Sequence, residues 1–409
     1  MERLHIAFFG PTNSGKSTLV NAIAGQQVSL VSDVPGTTTD PVRKPIELPG
    51  LGPCVLIDTA GIDDAGILGA ERQRLTRAVL DETDIAVVLP MSQDSGHPAQ
   101  NTSHIVPDVP DIGTLAARAG IPVIHYTRGD SVASLLQRIR DARPKEEETF
   151  LTGDLVKAGD TVLLVMPQDS EAPKGRLILP QVQVIRELLD RGCNPLCCTP
   201  ASLPAALSTL KELPALTITD AQAFGFVNSH LPATCPLTAF SVLLAAAKGD
   251  AAVFVEGARA IDRLTVHSRV LIAEACTHVP DTEDIGRVKI PALLRKRAAA
   301  RGFLDCEHYS ASETKNQSSK APEMPGQAGH DGLEIEFAAG NDFPDDLSPY
   351  DLVIHCGACM ASRQLLRTRI RKALLAGVPI TNYGIALAYL QGMLERIVIP
   401  GCRLPRQSS

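Results

Sequence analysis

The chain has 409 residues, 44% hydrophobic and 21% charged, which excludes a disordered or fibrous protein and demands two or three hydrophobic cores. Its formal charge of −7 excludes a general basic field for nucleic acid. With 4% aromatic residues and no Trp, it also has few platforms for stacking single strands. Ten cysteines diluted over this length read as reduced thiols, some of them metal ligands, rather than as a disulfide framework. The apolar stretch before Gly10 and Pro11 is too short for a signal peptide or a membrane span. The expectation is therefore a cytoplasmic protein with neither a membrane nor a nucleic-acid partner.

In chain order, residues 1 to about 142 alternate apolar strands (LHIAFFG, CVLIDTAG, DIAVVLP, IPVIHY) with helical stretches at Leu19 to Ala24 and SVASLLQRIRDAR. That rhythm predicts an open α/β sheet. The charged run RPKEEE marks a linker. The middle of the chain repeats the rhythm with DTVLLVMP, a helix across LPQVQVIRELLDRG, NPLCCTP, PALTITD and a helix near AFSVLLAAAKG. From RVLIAEAC onward a third unit holds a basic helix (LLRKRAAARG), the strands LEIEFAAG and DLVIHCGACM, and helices in RQLLRTRIRKALLAG and IALAYLQGMLERI. Between them SASETKNQSSKAPEMPGQAGHDG is polar and rich in Ser, Gly and Pro, a surface loop. The expected domains are 1–145, 150–264 and 265–409.

GPTNSGKS, Gly10 to Ser17, fits G-x-x-x-x-G-K-[ST] between an apolar strand and a helix. Glycines let backbone N–H groups curl round phosphates at the positive end of a helix, where Lys16 reaches the β and γ oxygens and Ser17 ligates Mg²⁺. Gly10, Asn13, Ser14, Gly15, Lys16, Ser17 and Thr18 are the candidate cradle. In PGTTTDP, Thr38 is positioned to offer a hydroxyl to Mg²⁺; in DTAG, Asp58 falls behind the metal's water shell and the Gly61 N–H near a γ-phosphate. Lys16, Thr38, Asp58 and Gly61 are thus the candidate catalytic set. Together these segments resemble the translation-factor-like GTPases, in the branch that includes the tRNA-modification and ribosome-assembly enzymes. That resemblance implies a K⁺ ion held with the help of Asn13 in place of an arginine finger.

The guanine-reading N-K-x-D has no clean match. Thr127 to Asp130 (TRGD) keeps the carboxylate but loses Asn and Lys; Asn101 to Pro107 (NTSHIVP) keeps Asn but has His104 where Asp belongs. The second alignment is slightly favoured, because it makes IPVIHYTRGDSVASLLQRI the last strand, base-side loop and final helix. Either way a missing hydrogen-bonding partner weakens discrimination for guanine.

At the other end, Cys356 and Cys359 form C-x₂-C directly after His355, and upstream stands Cys306-Glu307-His308. Between His308 and His355 lie 46 residues that include the polar loop, so the halves can meet at modest entropic cost. Three thiolates with a loose fourth position describe an iron–sulfur cluster with an exchangeable iron better than a closed zinc site. His308, His355 and Glu307 remain open as the fourth ligand. Cys276 to His278 (CTH) is a weaker competitor, while Cys193, Cys197 and Cys198 read as buried core cysteines. Lys174 and Arg176, in a stretch without phosphate-loop spacing, read as surface or interface charges.

A GTPase motif joined to C-x-H and H-C-x₂-C resembles the FeFe-hydrogenase maturation GTPases, the HydF family. The likeness extends over residues 160 to 189, 275 to 291, 350 to 366 and 377 to 394. It implies an α/β chain: a P-loop GTPase domain, a small dimerisation domain and a domain that binds a 4Fe-4S cluster through Cys306, Cys356 and Cys359. It further implies a slow, K⁺-stimulated GTPase that acts as a scaffold. Such a homodimer receives a transient di-iron subcluster built by two radical-SAM maturases and passes it to the apo-hydrogenase. The alternatives are a GTPase of RNA modification or ribosome assembly, and a regulatory GTPase stabilised by zinc.

Overall fold

The computed structural model describes residues 3–11, 14–25, 41–60, 69–90, 112–127, 129–143, 150–168, 177–265, 267–275, 284–300, 332–359 and 361–402. The chain divides into two compact units, residues 1–148 with 361–369, and residues 149–360 with 370–409. The α/β class expected from the sequence holds throughout.

In the first unit the elements are β1 (Leu4–Phe9), α1 (Lys16–Ala24), β2 (Val42–Leu48), β3 (Gly52–Asp58), α2 (Gly69–Glu82), β4 (Ile85–Val88), α3 (Ile112–Arg118), β5 (Val123–His125) and α4 (Val132–Ala142). They form a sheet of order β2-β3-β1-β4-β5, in which only the β2–β3 pair is antiparallel. Central β1 shows why LHIAFF is apolar nearly throughout: both of its faces are covered. Ile6 and Phe8 pack with Leu19, Val20 and Ile23 of α1 and Leu135 and Ile139 of α4. Ala7 and Phe9 face Val79 and Leu80 of α2 and Ile112 and Ala116 of α3. None of β2, α2 and α3 is among the predicted elements. VRKPIEL carries charges and a proline because it is an edge strand, with every second residue exposed over most of its length. At seven residues, α3 is too short to establish a helical period.

The second unit contains two all-parallel sheets. The first, β7-β6-β8-β9, is built from β6 (Thr161–Val165), α5 (Leu179–Asp190), β7 (Asn194–Cys198), α6 (Leu203–Ser208), β8 (Leu216–Thr219), α7 (Phe224–His230), β9 (Leu237–Ala239) and α8 (Phe240–Lys248). Val162, Leu164, Leu216 and Ile218 pack with Val184 and Leu188 of α5 and Phe240 and Leu243 of α8. The other sheet, β11-β10-β12-β13, uses β10 (Arg269–Glu274), β11 (Glu334–Ala339), β12 (Leu352–His355) and β13 (Ile380–Asn382). The helices of this part of the chain are α9 (Ala251–Arg259), α10 (Ile290–Ala300) and α12 (Tyr383–Leu390), while α11 (Arg363–Leu375) is divided between the two units at residue 369. Helix α9 lies so close to β13 that a Cβ on Gly257 would sit 1.9 Å from the Ile380 carbonyl oxygen. No helix among the described residues is long and apolar enough to cross a membrane.

Candidate functional site

The first site is assembled where β1 and β3 end side by side, with Phe8 in register with Asp58. The open crevice beyond the carboxyl ends of parallel strands is where such sheets bind ligands. Gly10 closes β1, and a Cβ there would lie 2.9 Å from both the Leu89 carbonyl and the Ser14 hydroxyl, so the turn admits glycine alone. Gly15, at φ 92°, caps α1 in a left-handed conformation that costs a glycine little and leaves the first N–H groups of the helix directed at the loop.

Lys16 is 6% exposed, and its Nζ donates to the carbonyls of Gly10 (3.0 Å) and Pro11 (2.6 Å). The Ser17 hydroxyl donates to Oδ2 of the fully buried Asp58 at 2.6 Å. Thr59 ties the end of β3 to β1 by donating to the Phe8 carbonyl at 2.7 Å. Two buried polar atoms, Ser14 Oγ and Asp58 Oδ1, have no hydrogen-bond partner among the described residues. Burying such groups without a partner is costly, and a bound phosphate with its cation supplies what they lack. The residues present therefore fit a nucleoside triphosphate with Mg²⁺. Thr18, next along α1, is exposed. Asn13, Thr38 and Gly61 lie outside the described residues.

Of the two guanine-reading candidates, Asn101 and His104 also lie outside them. Asp130 is held in a turn after β5: its Oδ2 accepts from the Thr127 N–H at 3.0 Å and from Arg138 Nη1 at 3.0 Å. Among the described residues β5 is the outermost strand on its side, paired to β4, and α4 returns to the α1 face. That is the arrangement in which residues 123–143 supply the last strand and final helix.

The second site begins at the end of β12. All four of its residues are buried, and His355 is in register with Ala273 of β10 and Asn382 of β13. This register delivers the Ala275 N–H to Cys356 Sγ at 3.1 Å, and the Ala358 N–H reaches the same sulfur at 3.4 Å. Two N–H groups aimed at one sulfur favour a thiolate, the form that binds metal. The Cys356 carbonyl accepts from Asn382 Nδ2 at 3.2 Å and from His355 Nδ1 at 2.8 Å. That last bond puts the ring proton on Nδ1 and leaves Nε2 as the basic nitrogen of His355.

Cys356 and Cys359 are both partly exposed. Lys248, at the end of α8, donates from Nζ to the Ala358 carbonyl (2.9 Å) and the Cys359 carbonyl (3.4 Å). Glu274, 2% exposed at the end of β10, takes Arg287 at 3.3 Å. Burial pushes the Tyr383 hydroxyl far above its ordinary range, and the charge of Cys356 adds to this. Sequence reasoning missed Lys248, Asn382 and Glu274, which read as helix or strand ends; no signal in one sequence pairs them with the cysteine loop, which lies 26 positions from Asn382 and 110 from Lys248.

Cys306, Glu307, His308, Cys276 and His278 lie outside the described residues. Among the described residues no three His, Cys, Asp or Glu side chains gather as a metal site. What is described, a sulfur with two N–H donors beside a partly exposed second cysteine, fits part of a thiolate-ligated cluster. The cysteines read as core divide: Cys193 is buried with its thiol pushed up by that burial, whereas Cys197 is exposed on edge strand β7.

Comparison with known proteins separates the two ends of the chain. Residues 5–124 match the 50S ribosome-binding GTPase family model. Similar curated proteins are tRNA modification GTPases MnmE. That of Xanthomonas oryzae pv. oryzae (strain MAFF 311018) is 42% identical over 92 residues, 22% of this chain and 20% of that protein. That of Methylobacterium sp. (strain 4-46) is 35% identical over 149 residues, 34% of each. The chain thus spans only a fifth to a third of the length of these relatives. Among solved structures, Era of Aquifex aeolicus bound to GDP.AlF4⁻ aligns at 17% identity and a TM-score of 0.26, covering 52% of this chain and 99% of that one. NFeoB of S. thermophilus bound to GDP.AlF4⁻ and K⁺ aligns at 18% identity and a TM-score of 0.20, covering 34% and 62%. The rest of the chain matches two models specific to one family. These are the hydrogen maturase F dimerization domain at 151–249 and the hydrogen maturase F tetramerization domain at 252–318 and 303–400. With those two domains following a GTPase domain, the chain belongs to the HydF family of hydrogenase maturation GTPases.

Proposed function

We propose that this chain hydrolyses GTP and carries a 4Fe-4S cluster in separate domains, as a scaffold that accepts a di-iron precursor of the FeFe-hydrogenase active site and releases it to the apo-hydrogenase. The observation that carries the scaffold role is the pair of backbone N–H groups on Cys356 Sγ, in a C-x₂-C loop at the end of a buried parallel strand. Residues 1–145 would be the GTPase domain, 150–264 the dimerisation domain and 265–409 the cluster domain. Cys306, Cys356 and Cys359 would hold the cluster, with His308, His355 or Glu307 at the fourth position. When bound, the cluster supplies an iron able to exchange a ligand with the di-iron cargo.

At the other end Lys16 exchanges its loop carbonyls for the β and γ oxygens of GTP, and Ser17 and Thr38 present hydroxyls to Mg²⁺. Asp58 would orient the metal's water shell, and the Gly61 N–H would hold the γ-phosphate. Asn13 would help hold K⁺, which with Mg²⁺ supplies positive charge to the phosphates. Hydrolysis then relaxes the loops around Thr38 and after Gly61, changing partner contacts with the two radical-SAM maturases and the hydrogenase. The homodimer is supported by the exposed Leu179, Val182 and Leu189 of α5, within the stretch that matches a dimerization domain. A cytoplasmic location completes the picture.

Metal analysis after anaerobic purification and reconstitution tests the scaffold role, with electron paramagnetic resonance of the reduced protein identifying the cluster. About four irons and four sulfides per chain are expected. Stoichiometric zinc without iron would replace this role with a zinc-stabilised GTPase.

A further inference from the structure

The lysine beside the cysteine loop is in the wrong company for a surface residue. Helix α8, FSVLLAAAK, buries Phe240, Val242, Leu243, Leu244, Ala245 and Ala247, and Lys248 is itself only 7% exposed. Burying an ammonium costs several kinds of hydration at once, and an apolar residue of similar volume often serves packing as well or better. Retaining the charge implies that it meets something specific. Here its Nζ donates to two successive carbonyls of the cysteine loop, Ala358 at 2.9 Å and Cys359 at 3.4 Å.

Those two bonds act on the residue that most needs support. Ala358 has φ 49°, the one positive φ at a non-glycine residue among the described residues, a conformation that an alanine adopts at a cost. In this conformation the Ala358 N–H donates to Cys356 Sγ and the Ala358 carbonyl accepts from Lys248. The lysine therefore pins the peptide that follows Ala358, while the peptide that precedes it serves the sulfur, so the two bonds together fix the backbone on both sides of the strained residue. It also places a positive charge against a loop that would carry two thiolates, and the net charge around a cluster is one of the terms that sets its reduction potential.

We propose that Lys248 is a positioning residue that locks the Cys356–Cys359 loop in its metal-binding conformation and holds the cluster's potential up by its charge. This role rests on the cluster assignment made above. It links the end of the stretch matching the dimerization domain to the loop that carries the thiols.

The test uses the full chain, reconstituted anaerobically with limiting iron and sulfide, as wild type, Lys248→Met, Lys248→Arg and Lys248→Met with Ala358→Gly. Iron per chain is measured, together with the midpoint potential from a redox titration followed by electron paramagnetic resonance. Lys248→Met is expected to load at least threefold less iron, with the residual cluster at a more negative potential; Lys248→Arg stays near wild type in both. Adding Ala358→Gly removes the backbone strain, so loading recovers while the potential remains low. That split is one a merely structural role would not produce. If the methionine variant does not fold, Lys248→Gln carries the same comparison. Wild-type iron content and potential in the folded methionine or glutamine variant overturn the proposal and leave the cluster assignment standing. A wild-type chain that takes up no iron overturns the cluster assignment itself.

Discussion

Lys16 and Asp58 show how far a residue's type predicts its task. The lysine of G-x-x-x-x-G-K-[ST] is bound to need a phosphate because nothing else explains a long cation packed into a glycine loop, and the structure buries it against the Gly10 and Pro11 carbonyls. Lys16→Ala is expected to lower GTP hydrolysis about 100-fold or more, the scale of losing a preorganised charge on the reacting group, with iron content per chain unchanged. Phosphate-release kinetics and iron analysis on one preparation check both. Cysteines are harder to sort by type, since the same thiol can be core or ligand. Cys54 is fully buried, and that burial pushes its pKa up to about 11 from 9.0. Between those values the folded state keeps a proton that the unfolded chain has lost. Stability of the first unit is therefore flat below pH 9 on this account and falls as pH rises toward 11. Urea unfolding across that range should show the fall, and Cys54→Ala should lack it.

Elements bring together what spacing in the sequence leaves apart. Strands β10 and β12 are parallel neighbours with Ala273 opposite His355, so they end together, and the Ala275 N–H arrives at Cys356 Sγ across 80 intervening positions. The apolar runs VLIAE and LVIH announced two buried strands; their adjacency and register could not be read, because any parallel pair is compatible with such runs. Strand β2 and helix α3 escaped for the opposite reason, being too exposed or too short for periodicity to register. The contact of α9 with β13 belongs at this scale too. Gly257 lets the helix backbone reach the strand, and Gly257→Ala puts a methyl 1.9 Å from the Ile380 carbonyl. Forcing the elements apart is expected to cost roughly 1–3 kcal/mol, read as a lowered midpoint in thermal unfolding of the full chain.

For the whole molecule, the GTPase elements and the cysteine loop stand on different sheets, β2-β3-β1-β4-β5 and β11-β10-β12-β13. Cys356→Ser is expected to abolish cluster binding and hydrogenase activation while GTP hydrolysis stays within about twofold, since surface or remote changes of this kind seldom propagate. Parallel loss of hydrolysis and iron would disprove this separation of tasks. Val182→Glu, on the exposed apolar face of α5, should shift the chain toward monomer in sedimentation, because a charge at the centre of an apolar contact is left unpaired. By itself the sequence determined the α/β class, the phosphate loop with its Lys16–Ser17 pair, and the C-x₂-C that marks the other end. Each depends on local chemistry: apolar runs, glycines where a loop must bend, and thiols at ligand spacing. Only the tertiary structure decided that Asp58 meets Ser17, that Ala275 serves the sulfur of Cys356, and that Lys248 of an apolar helix is bonded to the cysteine loop. Those contacts join residues between 41 and 110 positions apart. Strand order and helix placement set them through long-range packing, which no local pattern of residues encodes.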